Sequence, residues 1–331
     1  MSARLTSMVA RGAGLLPAPL LDRARLAEAR RLETRVRRSP AIRGAALVFH
    51  AVGPSGGDGR WEIDPPLAAE RLDAIVGYLA DRYQLVRASE LPEAACTRQP
   101  GQPPPVAVTF DDDLPSHHEF AAPILERHGA VATVFLCGSI TPFWWHRLQV
   151  AVDSHALDVS TLAPLPSALV GPALERQPGA IRRLAIAIEN LPPAQRDEVA
   201  ARLERAVSAP SPLLSAQARA DLARAGWEIG FHTHRHDLLT ALDDDTLRKA
   251  LERGRESVAE GPIRTVAYPH GKAGEREARA ARQAGYVAAY TTRGEVFTEE
   301  TNIHLIGRLC PDTVSVGRFG LGLARRLARV A

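Results

Sequence analysis

Lysine is almost missing from this chain. Lys249 and Lys272 stand alone among 41 basic residues, and the rest are arginines. A uniform bias of this kind reads as genomic base composition before it reads as phosphate chemistry. Cysteine is scarce too: Cys96, Cys137 and Cys310 cannot all pair, and no CxxC spacing offers a zinc or redox site, so buried structural thiols are expected. No run approaches the roughly 18 apolar residues of a membrane span. The apolar stretch Leu15 to Leu21 is broken by Pro17 and Pro19, which argues against a signal peptide and for a cytoplasmic location. A net charge of only +3 is too small for wholesale coating of nucleic acid, which excludes that partner.

What is present is an ordinary globular composition, 45% hydrophobic and 24% charged over 331 residues, enough for one large core or two modest ones. The charge is unevenly placed. Residues 1–38 carry +6 and residues 313–331 carry +4, which leaves −7 on the middle. Residues 1–40 read as an Arg-rich helical extension, 41–312 as the main domain and 313–331 as a basic tail. The segment 318–330 has the pattern of a basic amphipathic helix that would favour an anionic leaflet, giving peripheral membrane contact through the basic termini. Packing of this helix on the domain is the stronger expectation.

The body alternates strands and helices. Strands are expected at Ala45 to Phe49, Tyr83 to Val86, Val106 to Phe110, Val131 to Leu136, Trp227 to Phe231, Thr265 to Tyr268, Tyr286 to Tyr290 and Ile303 to Leu309. Helical spacing occupies Leu67 to Leu79, Glu119 to His128, Ala216 to Ala225 with Ser215 as N-cap, a stretch from Asp243 to about Ala259, and Glu275 to Ala284. Roughly 141–212 is proline-rich and less regular, an insertion or lid. About seven strands in βα order predict an α/β fold, a distorted (β/α) barrel with a mostly helical insertion and terminal helices, and such barrels place their sites at the strands' C-terminal ends.

Three strand ends carry unusual residues: TFDDD (Thr109 to Asp113), FHTHRH (Phe231 to His236) and YPHG (Tyr268 to Gly271). Adjacent carboxylates at a buried strand end repel unless a cation or shared proton compensates. The second triple, Asp243 to Asp245, is explained instead by a helix start. His232, His234 and His236 share a face if the strand continues, whereas a helical turn pairs His232 with His236 at i,i+4. Either arrangement supplies two imidazoles, and with a carboxylate they suit Zn2+ or a similar divalent ion. His50 lies at another strand end. His117 and His118 read as surface or helix-start residues. Phe143, Trp144 and Trp145 would anchor the insertion or stack on a sugar ring.

TFDD, HTxxH (His232, Thr233, His236) and the downstream YPHG, in this order, resemble the polysaccharide deacetylase family (NodB-homology domain). The similarity runs from about Leu47 to Leu309 and includes LVFHAV, GWEIGFHTHRH and AGYVAAYTT. The resemblance implies a metal-dependent amide hydrolase that removes an N-acyl group, acetyl in the simplest case, from an N-acylated sugar, polysaccharide or glycolipid. It implies Asp112, His232 and His236 as metal ligands, zinc by preference, Asp111 as general base to a metal-activated water, and the His270 backbone N–H as oxyanion donor. Tyr268 and Pro269 fall in the substrate-binding turn.

The chain also departs from the family pattern. Ala267 occupies the place of the arginine that orients the base, so Arg308 is a candidate for that task or for substrate binding. His304 falls too early for the usual late general acid, and Asp113 replaces a glycine. These departures fit a catalytically weakened carbohydrate-binding protein on the same fold, and a further alternative is a deformylase or amidase acting on a lipid-linked sugar at the cytoplasmic membrane face.

Overall fold

The computed structural model describes residues 17–138, 143–207, 213–259 and 261–329. The first 16 residues, Ala331 and Val330, and the edges of the expected insertion at 141–142 and 208–212 lie outside the described residues. In chain order the elements are α1 (Ala18–Arg38), β1 (Ala45–Phe49), β2 (Val52–Gly53), β3 (Leu67–Ala68), α2 (Ala69–Arg82), β4 (Gln84–Val86), α3 (Leu91–Thr97), β5 (Pro105–Asp111), α4 (Ala122–Arg127) and β6 (Thr133–Leu136). Four helices follow, α5 (Trp144–Asp153), α6 (Ser167–Leu174), α7 (Ala180–Glu189) and α8 (Pro193–Ala206). The chain then continues through α9 (Ala216–Arg224), β7 (Glu228–Phe231), α10 (Asp244–Glu252), β8 (Thr265–Ala267), α11 (Glu275–Gln283), β9 (Ala288–Tyr290), β10 (Arg308–Leu309) and α12 (Val316–Arg329).

A parallel sheet in the order β10-β1-β5-β6-β7-β8-β9 forms the body. Its two ends approach each other where Tyr290 bridges Ile306, with Thr291 N–H donating to the Ile306 carbonyl at 2.8 Å, so the α/β fold is a nearly closed, distorted barrel. One source of distortion is β5. Its first half pairs with β4 through 105–107 and its second half with β6 through 109–111 on the same side, while β1 runs along the other side. β6 therefore rides high toward the strands' C-terminal mouth.

Period-two alternation divides the strands between two cores. Leu47, Phe49, Val108 and Phe110 pack outward under the helices, whereas Ala46, Ala107, Phe135, Ala267 and Tyr290 fill the barrel. On β5 the inward series is Ala107, Thr109 and Asp111. This register carries a carboxylate to the top of the barrel interior.

Local signals explain the helix starts. Ser215 accepts from Ala218 N–H at 3.1 Å, and Asp243 accepts from Thr246 N–H at 2.8 Å. α10 ends at Glu252, earlier than the sequence pattern suggests, because Gly254 adopts φ +85° and breaks the helix before a short turn at Arg255–Ser257.

The helices α5–α8 build a second apolar core around Leu148, Val170, Leu184, Ile188, Val199 and Leu203. The terminal helices α1 and α12 pack on each other and on the barrel, with Phe319 edge-on to Tyr78 at 6.0 Å and Tyr83 donating to Glu33 at 2.9 Å. Phe319, Leu323 and Leu327 are buried there, so the apolar face of α12 is spent on packing and only its arginine face points outward. No helix of the described residues is long and apolar enough to cross a membrane. The cysteines correct the expectation of buried thiols: Cys137 is buried, but Cys96 and Cys310 are exposed.

Candidate metal centre and active site

The three marked strand ends converge at one mouth of the barrel. Asp112 Oδ1 stands 3.8 Å from His232 Nε2 and 3.8 Å from His236 Nε2, and one ligand atom from each residue lies within 4.8 Å of the others. All three side chains are largely buried. His232 Nδ1 bonds the Ala267 carbonyl at 2.8 Å, which fixes the ring and leaves Nε2 facing the cluster. Asp112 Oδ1 is buried with no hydrogen-bond partner. An orphaned carboxylate oxygen between two imidazole nitrogens fits a divalent cation, and a one-carboxylate, two-imidazole donor set suits zinc.

The electrostatics agree with that fit. Burial, then the neighbouring Asp111 and Asp64, push the Asp112 carboxyl well above its ordinary range. Burial pushes His232 down to about 4 and His236 well below the usual imidazole value, so both rings are neutral at pH 7. A cation held among them would relieve the carboxylate repulsion and meet neutral rings.

Backbone geometry marks the same residues. Asp112 (φ +71°), Thr233 (φ +67°), His236 (φ +56°) and His270 (φ +58°) all adopt left-handed conformations. Such values are uncommon outside glycine, and the β-branched Thr233 is an outlier held by the surrounding structure. The histidine segment is thus neither a continued strand nor a helix. It is a turn in which the Thr233 hydroxyl accepts from His236 N–H at 3.2 Å, while His234 faces Gly254, away from the cluster.

Asp111 lies beside the cluster, with Oδ2 3.8 Å from His232 Nε2. Arg308 donates to its two oxygens at 2.5 and 2.7 Å, and also to Thr109 Oγ1 at 3.1 Å and the Thr291 carbonyl at 3.2 Å. Burial opposes ionisation of Asp111, but Arg308 and then His232 outweigh it and hold the carboxyl well below the usual range. Arg308 is fully buried, with its guanidinium turned to Asp111.

Asp113 is set apart from the cluster. It accepts from Cys137 N–H at 2.8 Å and from Arg219 at 3.1 Å, tying β6 and α9 to the end of β5. Tyr268 and Pro269 are both buried, and the Tyr268 hydroxyl donates to the His304 carbonyl at 2.9 Å, so they brace the turn that presents His270. His304 itself bonds the Tyr286 carbonyl at 2.9 Å on the outer side of β9. Of the surface and helix-start readings, His117 takes the second: it opens the short helical turn His117–Ala121 and is fully buried against Phe110, whereas His118 is partly exposed beside Asp221.

The insertion reaches this mouth. Trp145 lies against the His236 ring at 4.9 Å and stacks on Phe143 at 4.2 Å, so these aromatics anchor the insertion to a candidate ligand. Glu189, at the end of α7, stands 3.0 Å from His270 Nε2 and accepts from Arg196 at 3.0 Å. Neither Glu189 nor Asp64 carried a sequence signal, because each approaches only through the tertiary fold.

The sequence model of the polysaccharide deacetylase family matches residues 199–289, the stretch that holds His232, His236 and His270. Among solved structures, the fold is similar to the deacetylase PplD of Streptococcus pyogenes in complex with acetate, at 14% identity and a TM-score of 0.58 over 87% of this chain and 99% of that one. The chain is polysaccharide deacetylase-like. The deacetylase-like fold also matches BC0361, a polysaccharide deacetylase from Bacillus cereus, at 15% identity and a TM-score of 0.53 over 85% and 69% of the two chains. IcaB from Ammonifex degensii matches at 16% identity and a TM-score of 0.51 over 87% and 98%. No curated protein matches the chain in sequence.

Proposed function

We propose that this deacetylase-like protein is a metal-dependent hydrolase that removes an N-acyl group, acetyl in the simplest case, from a carbohydrate or glycoconjugate. The observation that carries this reading is the convergence of Asp112, His232 and His236 beside an Asp111 clamped by Arg308. Asp112 Oδ1 and the two Nε2 atoms would hold the ion. When bound, a divalent ion makes a water nucleophilic near neutral pH and polarises the amide carbonyl.

The chain's own groups supply the rest. Asp111, kept ionised by Arg308, takes the proton of the attacking water. A proton on Asp111 is disfavoured by the same guanidinium, which promotes its onward transfer to the leaving nitrogen. Pro269 has no N–H, so the next backbone donor in the braced turn is that of His270. Directed at the developing oxyanion, such a donor contributes roughly 3 kcal/mol.

The test is a screen of N-acylated sugars with zinc-loaded protein, read as released acid. Asp111→Asn is expected to keep its metal and lose roughly 10²- to 10⁴-fold in kcat. His236→Ala is expected to lose the metal and the activity together. A wild-type protein that binds no divalent metal and hydrolyses no N-acyl sugar overturns the reading.

A further inference from the structure

A groove of about 710 Å³ opens on the same mouth of the barrel, lined by His50 and Asp64, by Arg71 and Arg182, and by Cys310 and Pro311. Strand register places it next to the candidate catalytic pair. Phe49 is paired with Phe110, so His50 stands abreast of Asp111, and Cys310 follows directly on the strand that carries Arg308. Asp64 is the groove's one carboxylate, and it feels the charges of both Arg182 and Asp111.

The two arginines are the unusual feature. Most arginines near the barrel mouth are engaged: Arg308 with Asp111, Arg219 with Asp113, Arg196 with Glu189 and Asp237. Among the described residues, Arg71 on α2 and Arg182 on α7 make no ion pair or hydrogen bond, although Asp64 lies in the same groove. One belongs to the barrel and the other to the insertion, so the groove brings together from separate parts of the chain two guanidinium groups without a hydrogen-bonded partner, of which Arg182 feels Asp64 only at longer range. Guanidinium groups left free in a concave site beside a reaction centre are suited to oxyanions, which they bind through paired N–H donors.

We propose that this groove binds an anionic substituent of the substrate, a phosphate or a carboxylate, with Arg71 and Arg182 as its counter-charges. The inference rests on the hydrolase reading for the position of the scissile amide at Asp111. It narrows the substrate class to N-acyl glycoconjugates that carry a negative charge close to the acylated sugar. The insertion then acts in specificity, since it delivers Arg182.

The test uses zinc-loaded protein and three probes: neutral diacetylchitobiose, its 6-phosphate, and the disaccharide of N-acetylglucosamine with N-acetylmuramic acid. Binding is measured by calorimetry and by alkylation of Cys310, which is exposed in the groove, with the exposed Cys96 as internal control. At least one anionic probe is expected to bind about tenfold or more tightly than the neutral one, and to slow alkylation of Cys310 but not of Cys96. Whether phosphate or carboxylate wins identifies the source of the charge. Arg71→Gln and Arg182→Gln are each expected to erase the preference while leaving neutral-probe binding and thermal stability unchanged. Equal binding of all three probes, no binding of any, or a preference that survives both substitutions overturns the inference. Anionic preference without acid release sinks the hydrolase reading alone, and acid release without preference sinks the groove alone.

Discussion

Arg308 and Asp111 meet inside the barrel through two hydrogen bonds of 2.5 and 2.7 Å, joining strands 197 residues apart in sequence. Ala267 is buried as well, and its carbonyl bonds His232 Nδ1 at 2.8 Å. Because Arg308 keeps Asp111 ionised against burial, Arg308→Gln is expected to raise the Asp111 pKa and move the acid limb of the kcat/KM profile to higher pH. Removing one partner of a buried pair also costs roughly 3 to 5 kcal/mol. Arg308→Lys separates the two effects: it keeps the charge, loses the two-point clamp, and is expected to lower kcat with a much smaller shift of the acid limb. A pH profile of both variants decides the matter, and an unmoved limb in Arg308→Gln contradicts the assigned role.

The orphaned Asp112 oxygen predicts that metal stabilises the folded protein. Ligand at 100 times its Kd adds about 2.7 kcal/mol. Thermal melts of chelator-treated protein, with and without zinc, are expected to differ by several degrees. Asp112→Ala is expected to melt at or above the temperature of the chelator-treated wild type, since it removes a buried carboxylate next to Asp111, and to show no response to zinc. A zinc response that persists in this variant places the ion elsewhere.

Much of the fold was legible because burial imposes a period on the chain. Strands such as Ala45–Phe49 and caps such as Ser215 follow from local pattern, and three strand ends rich in Asp and His marked the site. Several features were not legible for a common reason. Glu189 reaches His270, and Asp64 comes within electrostatic reach of Asp112, only after the chain folds, and Tyr268 turns away from the barrel interior, where its hydroxyl finds the His304 carbonyl. The left-handed turn at Thr233 and His236 was hidden for another reason: local propensity disfavours it, and the surrounding structure holds it.

His117 predicts an acid-sensitive fold. Burial pushes its pKa down to about 3, against about 6.5 in an unfolded chain. Below pH 6.5 the unfolded state therefore binds a proton that the folded state refuses, and stability falls as pH drops. At pH 5 this single group costs about 2 kcal/mol relative to pH 7.5. Urea unfolding of the wild type and of His117→Gln at the two pH values is expected to show a smaller pH-dependent loss in the variant. Equal losses in both proteins contradict the prediction.

Arg196 holds the insertion to the barrel mouth. It lies almost fully buried between Glu189 of α7 and Asp237 of the histidine turn, and Glu189 in turn faces His270. Arg196→Ala leaves two mostly buried carboxylates without their shared cation, at a cost of about 3 kcal/mol. That cost falls on the contact between α5–α8 and the barrel, because the insertion has its own apolar core and does not need Arg196 to fold. Limited proteolysis is therefore expected to cleave within 143–207 faster in the variant, while cleavage elsewhere keeps its wild-type rate. Arg196→Lys keeps one charge between the two carboxylates and is expected to fall between the two. Uniform acceleration along the whole chain would show that Arg196 supports the global fold and not the seating of the insertion over the site.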